Sequence, residues 1–556
     1  MAVVLGGGIG GILTAAVLSR HYERVVIVER DRLPARPVKR KGVPQDKHPH
    51  ILLHRGEQII RELVPGALES LRPQDFVPMN PGRNLRWYHG GVWKAKRDPG
   101  FDFHMCNRMR LEFALRRDVL ARAAVTVLDE HKVFDLEFDD RRPRVTGVWV
   151  QRKGELKPRL LAADLVVDVT GRGTRAPQWL LRHGFGEVEV REVASNVGYT
   201  TRLFHKPGGV DHTKLPLVVM PDAPHSRRAG LVFPAGDHGL MVALAGWCRD
   251  YVPRSAEGFV AFAQSLDRPE LSELLEGARP SPSEHGFRAR ANMWRRYDRM
   301  RRWPDGFVVL GDAVSSLNPV YGQGMTICAI ETMALKHTLE RFTSAERGKG
   351  LSSPGQAHRL QKRFAQVVRL PWYLVTSEDL RHDETVGHRP RGLRSIHTVV
   401  QAVHELVAYD PSAHQLFFEL LNMVQSPAAL LRPRFVFSVA KHLMSAKLRA
   451  NLRDADAPRD LTATTFTGTP VVPVEVKSEQ EDRNVASPKP ARARAMKRPS
   501  LTFAQWRSSK RSGKLVQLRR IAYLRQLNAR ASTRTRKEDT GERASTDSGS
   551  FSVTVG

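Results

Sequence analysis

Near the start of the chain, Gly6-Gly7-Gly8-Ile9-Gly10-Gly11 places glycines at the three fixed positions of a GxGxxG turn, namely Gly6, Gly8 and Gly11. Each position makes its own demand on the backbone. The first glycine allows a tight turn, the second lets a pyrophosphate approach the main chain, and the third lets the next helix pack closely on the preceding strand. Glu29 follows 18 residues after Gly11, close to the spacing at which a carboxylate reaches the ribose hydroxyls of a bound dinucleotide. Arg30, beside it, joins the candidate cofactor contacts. Glycine-rich turns also occur for structural reasons alone, so the flanking elements decide. Ala2-Val3-Val4-Leu5 has the continuous apolar character of a buried parallel strand. Ile12 to Arg20 reads as a helix, and Val25 to Val28 as a second strand ending at Glu29. A strand, a glycine turn, a helix and a strand ending in an acid make a dinucleotide site the expected function of this segment.

A second constellation lies about 300 residues on. Trp303-Pro304-Asp305-Gly306 reads as a turn, Phe307 to Leu310 as a buried strand, and Asp312 stands at that strand's C-terminal end. Asn318-Pro319-Val320-Tyr321-Gly322-Gln323-Gly324-Met325 then enters a helix running through Ile330 and Leu335. A glycine-flanked helix start offers free backbone N–H groups and the positive end of a dipole, which suits an anion. A reduced flavin, charged around N1 and O2, is one such anion.

With both constellations in view, the sequence resembles the class A FAD-dependent monooxygenases, whose second flavin motif has a GD-x(n)-P-x-x-G-x-G form. The resemblance implies that Asp312 contacts the ribityl chain of FAD and that Pro319, Gly322 and Gly324 pack beside the isoalloxazine. A narrower similarity, to the bacterial flavin monooxygenases related to polyether epoxidases, is carried by Lys41-Gly42-Val43-Pro44-Gln45 with His48, His50 and Leu53, by Val64-Pro65-Gly66, by Asn107-Arg108, and by the run from Leu165 to Arg175. It covers about residues 1 to 450. In that family an arginine at the place of Arg108 opens a helix and reaches the FAD phosphates, a task suited to a guanidinium fork. Gln45 joins the implied cofactor contacts, whereas His48 and His50 stay open between loop hydrogen bonding and contact with flavin or substrate. Thr170-Gly171 departs from the Asp-Gly pair of the wider class, which leaves the electron donor open between NAD(P)H and an external flavin reductase.

The implied fold is α/β, with a Rossmann-like FAD-binding domain of the glutathione-reductase type, an interleaved α+β substrate domain and a C-terminal helical region. Its expected segments are 1–185 and 301–345 for FAD, 186–300 for a mainly β substrate domain, 346–450 for helices, and 451–556 for a basic tail. Within the substrate domain, Val197 to Phe204, Leu217 to Met220, Gly230 to Phe233 and Leu240 to Leu244 read as strands, with Tyr199, Leu203, Phe233 and Met241 as candidate walls. Further on, Ile396, Val399, Val400, Val403 and Val407 would share one helix face. Asp410 caps a second helix carrying Phe417, Leu420, Leu421 and Val424, and Ser426-Pro427 starts a third.

The implied activity is transfer of one oxygen atom, from dioxygen through a flavin C4a-(hydro)peroxide, to a lipophilic small molecule, by epoxidation or hydroxylation. The cofactor carries that chemistry, so no protein acid or base is nominated as catalytic. A reductase of prenyl-type double bonds would need the same FAD motifs. No Trp-x-Trp pair of the tryptophan-halogenase kind is present. A non-catalytic scaffold acting through its tail is the reading from another class.

Composition bounds the rest. The three cysteines, Cys106, Cys248 and Cys328, are widely spaced and form no CxxC, so no metal site or disulfide framework is expected and a cytoplasmic setting fits. No run of about 18 apolar residues suggests a membrane span. The net charge of +30 would attract polyanions, but much of it sits late in the chain, where no Asp or Glu occurs between Ala491 and Arg536. That segment reads as a disordered basic tail, in which Lys514 to Ala529 could form a poorly amphipathic helix. No specific nucleic acid is expected, and contact with polyanions or a membrane surface would be weak and run through the tail.

Overall fold

The computed structural model describes residues 1–455 other than 44, 236–237 and 343–349, so the expected tail lies outside the described residues. At its centre is a five-stranded parallel sheet in the order Phe307–Val309, Leu165–Asp168, Ala2–Leu5, Val25–Val28, Val125–Leu128. The first four strands are buried along their full length, and three of them are unbroken apolar runs in the sequence, the other ending in the buried Asp168. The helices Ile9–Leu18 and Gly324–Leu339 pack against each other beside it. A separate three-stranded antiparallel sheet, Arg159–Ala162, Val145–Arg152 and His131–Phe138, occupies the crossover before Leu165.

Seven strands form the second large sheet, in the order Arg279–Ala289, Val197–His205, Gly239–Gly246, Arg228–Pro234, Leu217–Val219, Arg86–His89, Val92–Trp93. The last two come from early in the chain, and Arg86–His89 pairs with Leu217–Val219 in parallel. The interleaving expected from sequence therefore extends to strands contributed from the early part of the chain.

Between residues 350 and 455 the chain is mainly helical. Asp410 caps the helix Pro411–Leu421 by accepting hydrogen bonds from the Ser412 and Ala413 backbone N–H groups. Ser426 precedes a short 3-10 turn, Pro427–Leu431, and the helix Pro433–Ala455 continues past the boundary expected at 450. The expected faces need correction at their ends: Ile396, Val399 and Val424 are exposed, while Val403, Val407, Phe417, Phe418 and Leu421 turn inward. The inward set packs against residues of the seven-stranded sheet, and that docking surface outweighs simple helical periodicity. Among the described residues no helix is long and apolar enough to cross a membrane.

Candidate functional site

Gly6 turns the chain from strand to helix with φ of +104°, in the left-handed region where a Cβ is penalised. A side chain at Gly11 would put its Cβ 1.8 Å from the Gly6 carbonyl oxygen, so glycine there lets helix and turn touch. Gly8 differs. It is the N-cap of the helix Ile9–Leu18, has extended backbone angles, and would place a Cβ with no atom within 4 Å. The space beside Gly8 is an open cleft.

This cleft holds about 1440 Å³ of empty space, its mouth included, and brings both constellations together. Of the residues expected at the cofactor, Gly8, Gln45, Arg108, Asp312, Pro319, Gly322 and Gly324 line it, and Gly6 and Gly11 shape the turn behind it. Arg30 is outside the lining, exposed and close to Gly42. Glu29 is buried behind the turn, where its Oε2 accepts from the Gly7 N–H at 2.7 Å and its Oε1 from the Asp31 N–H at 2.9 Å.

Sequence reading does not single out Arg40, which organises this corner. Its Nε and Nη2 donate to Glu112 Oε1 at 2.9 and 2.5 Å, and its Nη1 lies 3.5 Å from Glu29 and 3.6 Å from Asp31. Burial acts to discharge the guanidinium, but Glu112, Glu29 and Asp31 together outweigh it and hold its pKa above the ordinary value. Three of these charges, on Glu29, Arg40 and Glu112, are buried, and each is paired.

Arg108 is the first residue of the helix Arg108–Leu120, whose N-cap, Asn107, accepts from the Arg110 N–H. Its nearest acid is Glu112 at 3.9 Å, and its buried Nε has no protein partner. Across the cleft, Asp312 is exposed only towards the empty space. Burial of the site raises its pKa from the ordinary carboxylate value, against the opposing pull of Arg108, Arg172 and Arg295. Arg172, also in the lining, is fixed by donating to the Ala291 carbonyl at 2.5 Å.

The helix Gly324–Leu339 begins at the cleft with no side-chain cap, as does the helix that begins beyond Gly8. Between Asp312 and this helix, Asn318 caps a short turn by accepting from the Val320 N–H, and its own Nδ2 is buried without a protein partner. Two uncapped helix starts open onto one space lined by Arg108 and Asn318, whose Nε and Nδ2 are buried without a protein partner. This donor set fits a phosphorylated, electron-rich ligand.

The far side of the cleft belongs to the seven-stranded sheet. Tyr199, Leu231, Phe233, Ala243 and Ala245 form an apolar wall there. Two of the expected wall residues do not: Leu203 is 46% exposed, and Met241 is partly buried against the same apolar cluster without lining the cleft. Leu203 pairs with Met241 and Met241 with Phe233, so both share the wall's face of the sheet but lie outside the stretch that lines the cleft. His48 and His50 both line the cleft. His48 Nδ1 is 2.8 Å from Thr201 Oγ1, and His50 Nδ1 is 2.8 Å from the His48 carbonyl. Burial pushes their pKa values down to about 4 and about 3, so both rings are neutral near pH 7.

No family model matches the sequence. The chain is 32% identical over 439 residues to protein Rv3254 from Mycobacterium tuberculosis, a match spanning 76% of this chain and 90% of that protein. The structure is similar to that of the flavin-dependent brominase Bmp2, with TM-score 0.55, 13% identity, and 81% and 99% of the two chains covered. It is also similar to PqsL, a probable FAD-dependent monooxygenase from Pseudomonas aeruginosa, with TM-score 0.51, 19% identity, and 68% and 96% covered. At these identities the likeness is one of fold: an α/β FAD-binding fold shared by monooxygenases and halogenases.

Proposed function

The chain belongs to the family of the Mycobacterium tuberculosis protein Rv3254, and from that premise we propose that it is an FAD-dependent monooxygenase acting on a lipophilic small molecule. One observation carries the reading: the phosphate-type end and the anion-type helix start open onto a single cleft whose opposite wall is apolar. FAD, when bound, supplies the reductive activation of dioxygen. The residues of this chain hold and orient it. Gly8 leaves room for the pyrophosphate at the first helix start, Arg108 reaches the phosphates, and Asp312 anchors the ribityl chain. Pro319, Gly322 and Gly324 let the backbone approach the ring at the second helix start.

Tyr199, Leu231 and Phe233 exclude water from the substrate side, which matters because water in an oxygenating site diverts reduced oxygen to peroxide. His48, neutral and held through Nδ1, offers a polar contact without bringing a charge into that space. We assign the chain, within the monooxygenases, to the branch related to polyether epoxidases, with a glutathione-reductase-type FAD domain. The antiparallel sheet inserted before Leu165 and the placement of Gln45, His48 and His50 at the cleft support this. The electrons come from NAD(P)H or a partner flavin reductase.

The test is extraction of the purified protein, identification of its flavin by chromatography, and oxygen uptake with NADH, NADPH or a flavin reductase in the presence of polyenes. Bound FAD and substrate-dependent oxygen uptake with an oxygenated product are expected. FMN, or no flavin after supplementation of folded protein, overturns the cofactor assignment. Anaerobic reduction of a prenyl double bond without oxygen uptake moves the protein to the reductases.

A further inference from the structure

Asp379, the last residue of the helix Gln356–Asp379, is fully buried and 67 residues from the flavin motif residue Asp312. Its carboxylate accepts four side-chain hydrogen bonds. Oδ1 takes Trp247 Nε1–H at 2.9 Å and the Tyr321 hydroxyl at 2.8 Å, and Oδ2 takes the Ser195 hydroxyl and Asn292 Nδ2–H, each at 2.7 Å. Indole and amide nitrogens can only donate, so both oxygens accept; burial pushes the carboxyl's pKa up, and the four hydrogen bonds pull against that shift. Two of the four donors lead to the loop that lines the cleft. Tyr321 belongs to the loop, and Asn292 uses its Oδ1 to accept from the Asn318 backbone N–H at 2.6 Å. The other two anchor elsewhere, with Trp247 directly following the strand Gly239–Gly246 and Ser195 directly following Val190–Ala194.

We propose that Asp379 is the positioning residue for the flavin loop, holding residues 318–322 in register with the sheet that walls the substrate space. The inference rests on the FAD reading above. Loop residues Asn318, Pro319, Val320 and Gly322 all line the cleft; Val320 and Tyr321 also pack on the core, and among the described residues the loop's hydrogen bonds beyond its short turn include those through Tyr321 and Asn292. A short 3-10 turn is otherwise a weak element. A buried carboxyl hydrogen-bonded at the point where loop, sheet and helical layer meet makes the loop's place depend on all three.

The experiment compares Tyr321→Phe and Asp379→Asn with Ser195→Ala in the full chain. In Asp379→Asn the amide NH2 must face either Asn292 Nδ2 or Trp247 Nε1, so one donor is orphaned whichever way it is set. The readouts are FAD dissociation constant, the shape of the flavin visible band, flavin midpoint potential and melting temperature without FAD. Tyr321→Phe and Asp379→Asn should weaken FAD about tenfold or more and shift the band and potential. Ser195→Ala should change melting alone. If all three lower melting to similar degrees and leave the flavin spectrum and potential of the parent, Asp379 is structural support only and the proposal falls. If Asp379→Asn does not fold, Tyr321→Phe, which loses a single oxygen, decides between the two outcomes by the same readouts. A parent that takes up no FAD overturns the functional reading and this inference with it, whereas an FAD-loaded parent with unresponsive Tyr321→Phe overturns the role of Asp379 alone.

Discussion

Gly8→Val separates folding from cofactor binding more sharply than any other single change at this site. The residue has φ of −79° and ψ of −177°, which valine adopts freely, and its added Cβ would meet no protein atom within 4 Å. The apoprotein should therefore melt within about 1 kcal/mol of the parent, since replacing glycine at a compatible position mainly restricts the unfolded chain and is worth roughly 0.4–1 kcal/mol. FAD meets the branched side chain where its pyrophosphate must lie. Displacement of two charge-assisted hydrogen bonds, each worth roughly 1.5–3 kcal/mol, amounts to about 3–6 kcal/mol, or roughly 10²- to 10⁴-fold in Kd. The assay is flavin titration of the apoprotein followed by fluorescence, with calorimetry in the presence and absence of FAD. The parent should gain stability on adding FAD by linkage, and Gly8→Val should not. Gly11→Ala is the counterpart: its Cβ lands 1.8 Å from a backbone oxygen, so it should destabilise the apoprotein by about 3 kcal/mol through overpacking. Parent-like FAD affinity in Gly8→Val would refute the placement of the pyrophosphate, and an unfolded Gly8→Val apoprotein would refute the claim that the space beside it is open.

Asp312→Ala should leave apoprotein melting unchanged, because the carboxylate faces the cleft, and weaken FAD by about 1–3 kcal/mol, roughly 5- to 150-fold in a flavin titration. Lowering the pH should destabilise the protein through His48. Its folded pKa of about 4 lies below the ordinary 6.5, so the unfolded chain binds the proton first, and stability present above about 6.5 is lost down to about 4, by up to about 3 kcal/mol. His48→Asn should flatten that fall in a melting series across pH 4–7, and an unchanged slope would count against a buried neutral ring. Truncation after Arg459, where the first compact unit ends, should preserve FAD binding and melting while heparin retention drops at low salt. Loss of flavin from the truncated protein would make the tail part of the fold.

Elements that were legible in the sequence are those whose demands are local. The strands Ala2–Leu5 and Val25–Val28 have the ends expected of them, and the four strands anticipated between Val197 and Leu244 are all present. The helix after the glycine turn runs Ile9–Leu18, with Gly8 as its N-cap. Asp410 was readable as a cap because its partners lie two and three residues away. Errors fall on side chains whose surroundings come from elsewhere: Leu203, Ile396, Val399 and Val424 have suitable chemistry, but their partners are not in the local sequence.

The sequence by itself determined the glycine turn with its acid, the Asp312 strand end and the glycine-flanked helix start, since each is a backbone requirement met within a few residues. Only the tertiary structure decided that these open onto one cleft, that Arg40 pairs with acids from two segments, and that Asp379 ties the Asn318–Gly322 loop to the sheet beyond it. A buried charge becomes tolerable through partners brought in from distant parts of the chain, and no local pattern of residues records which partners those will be.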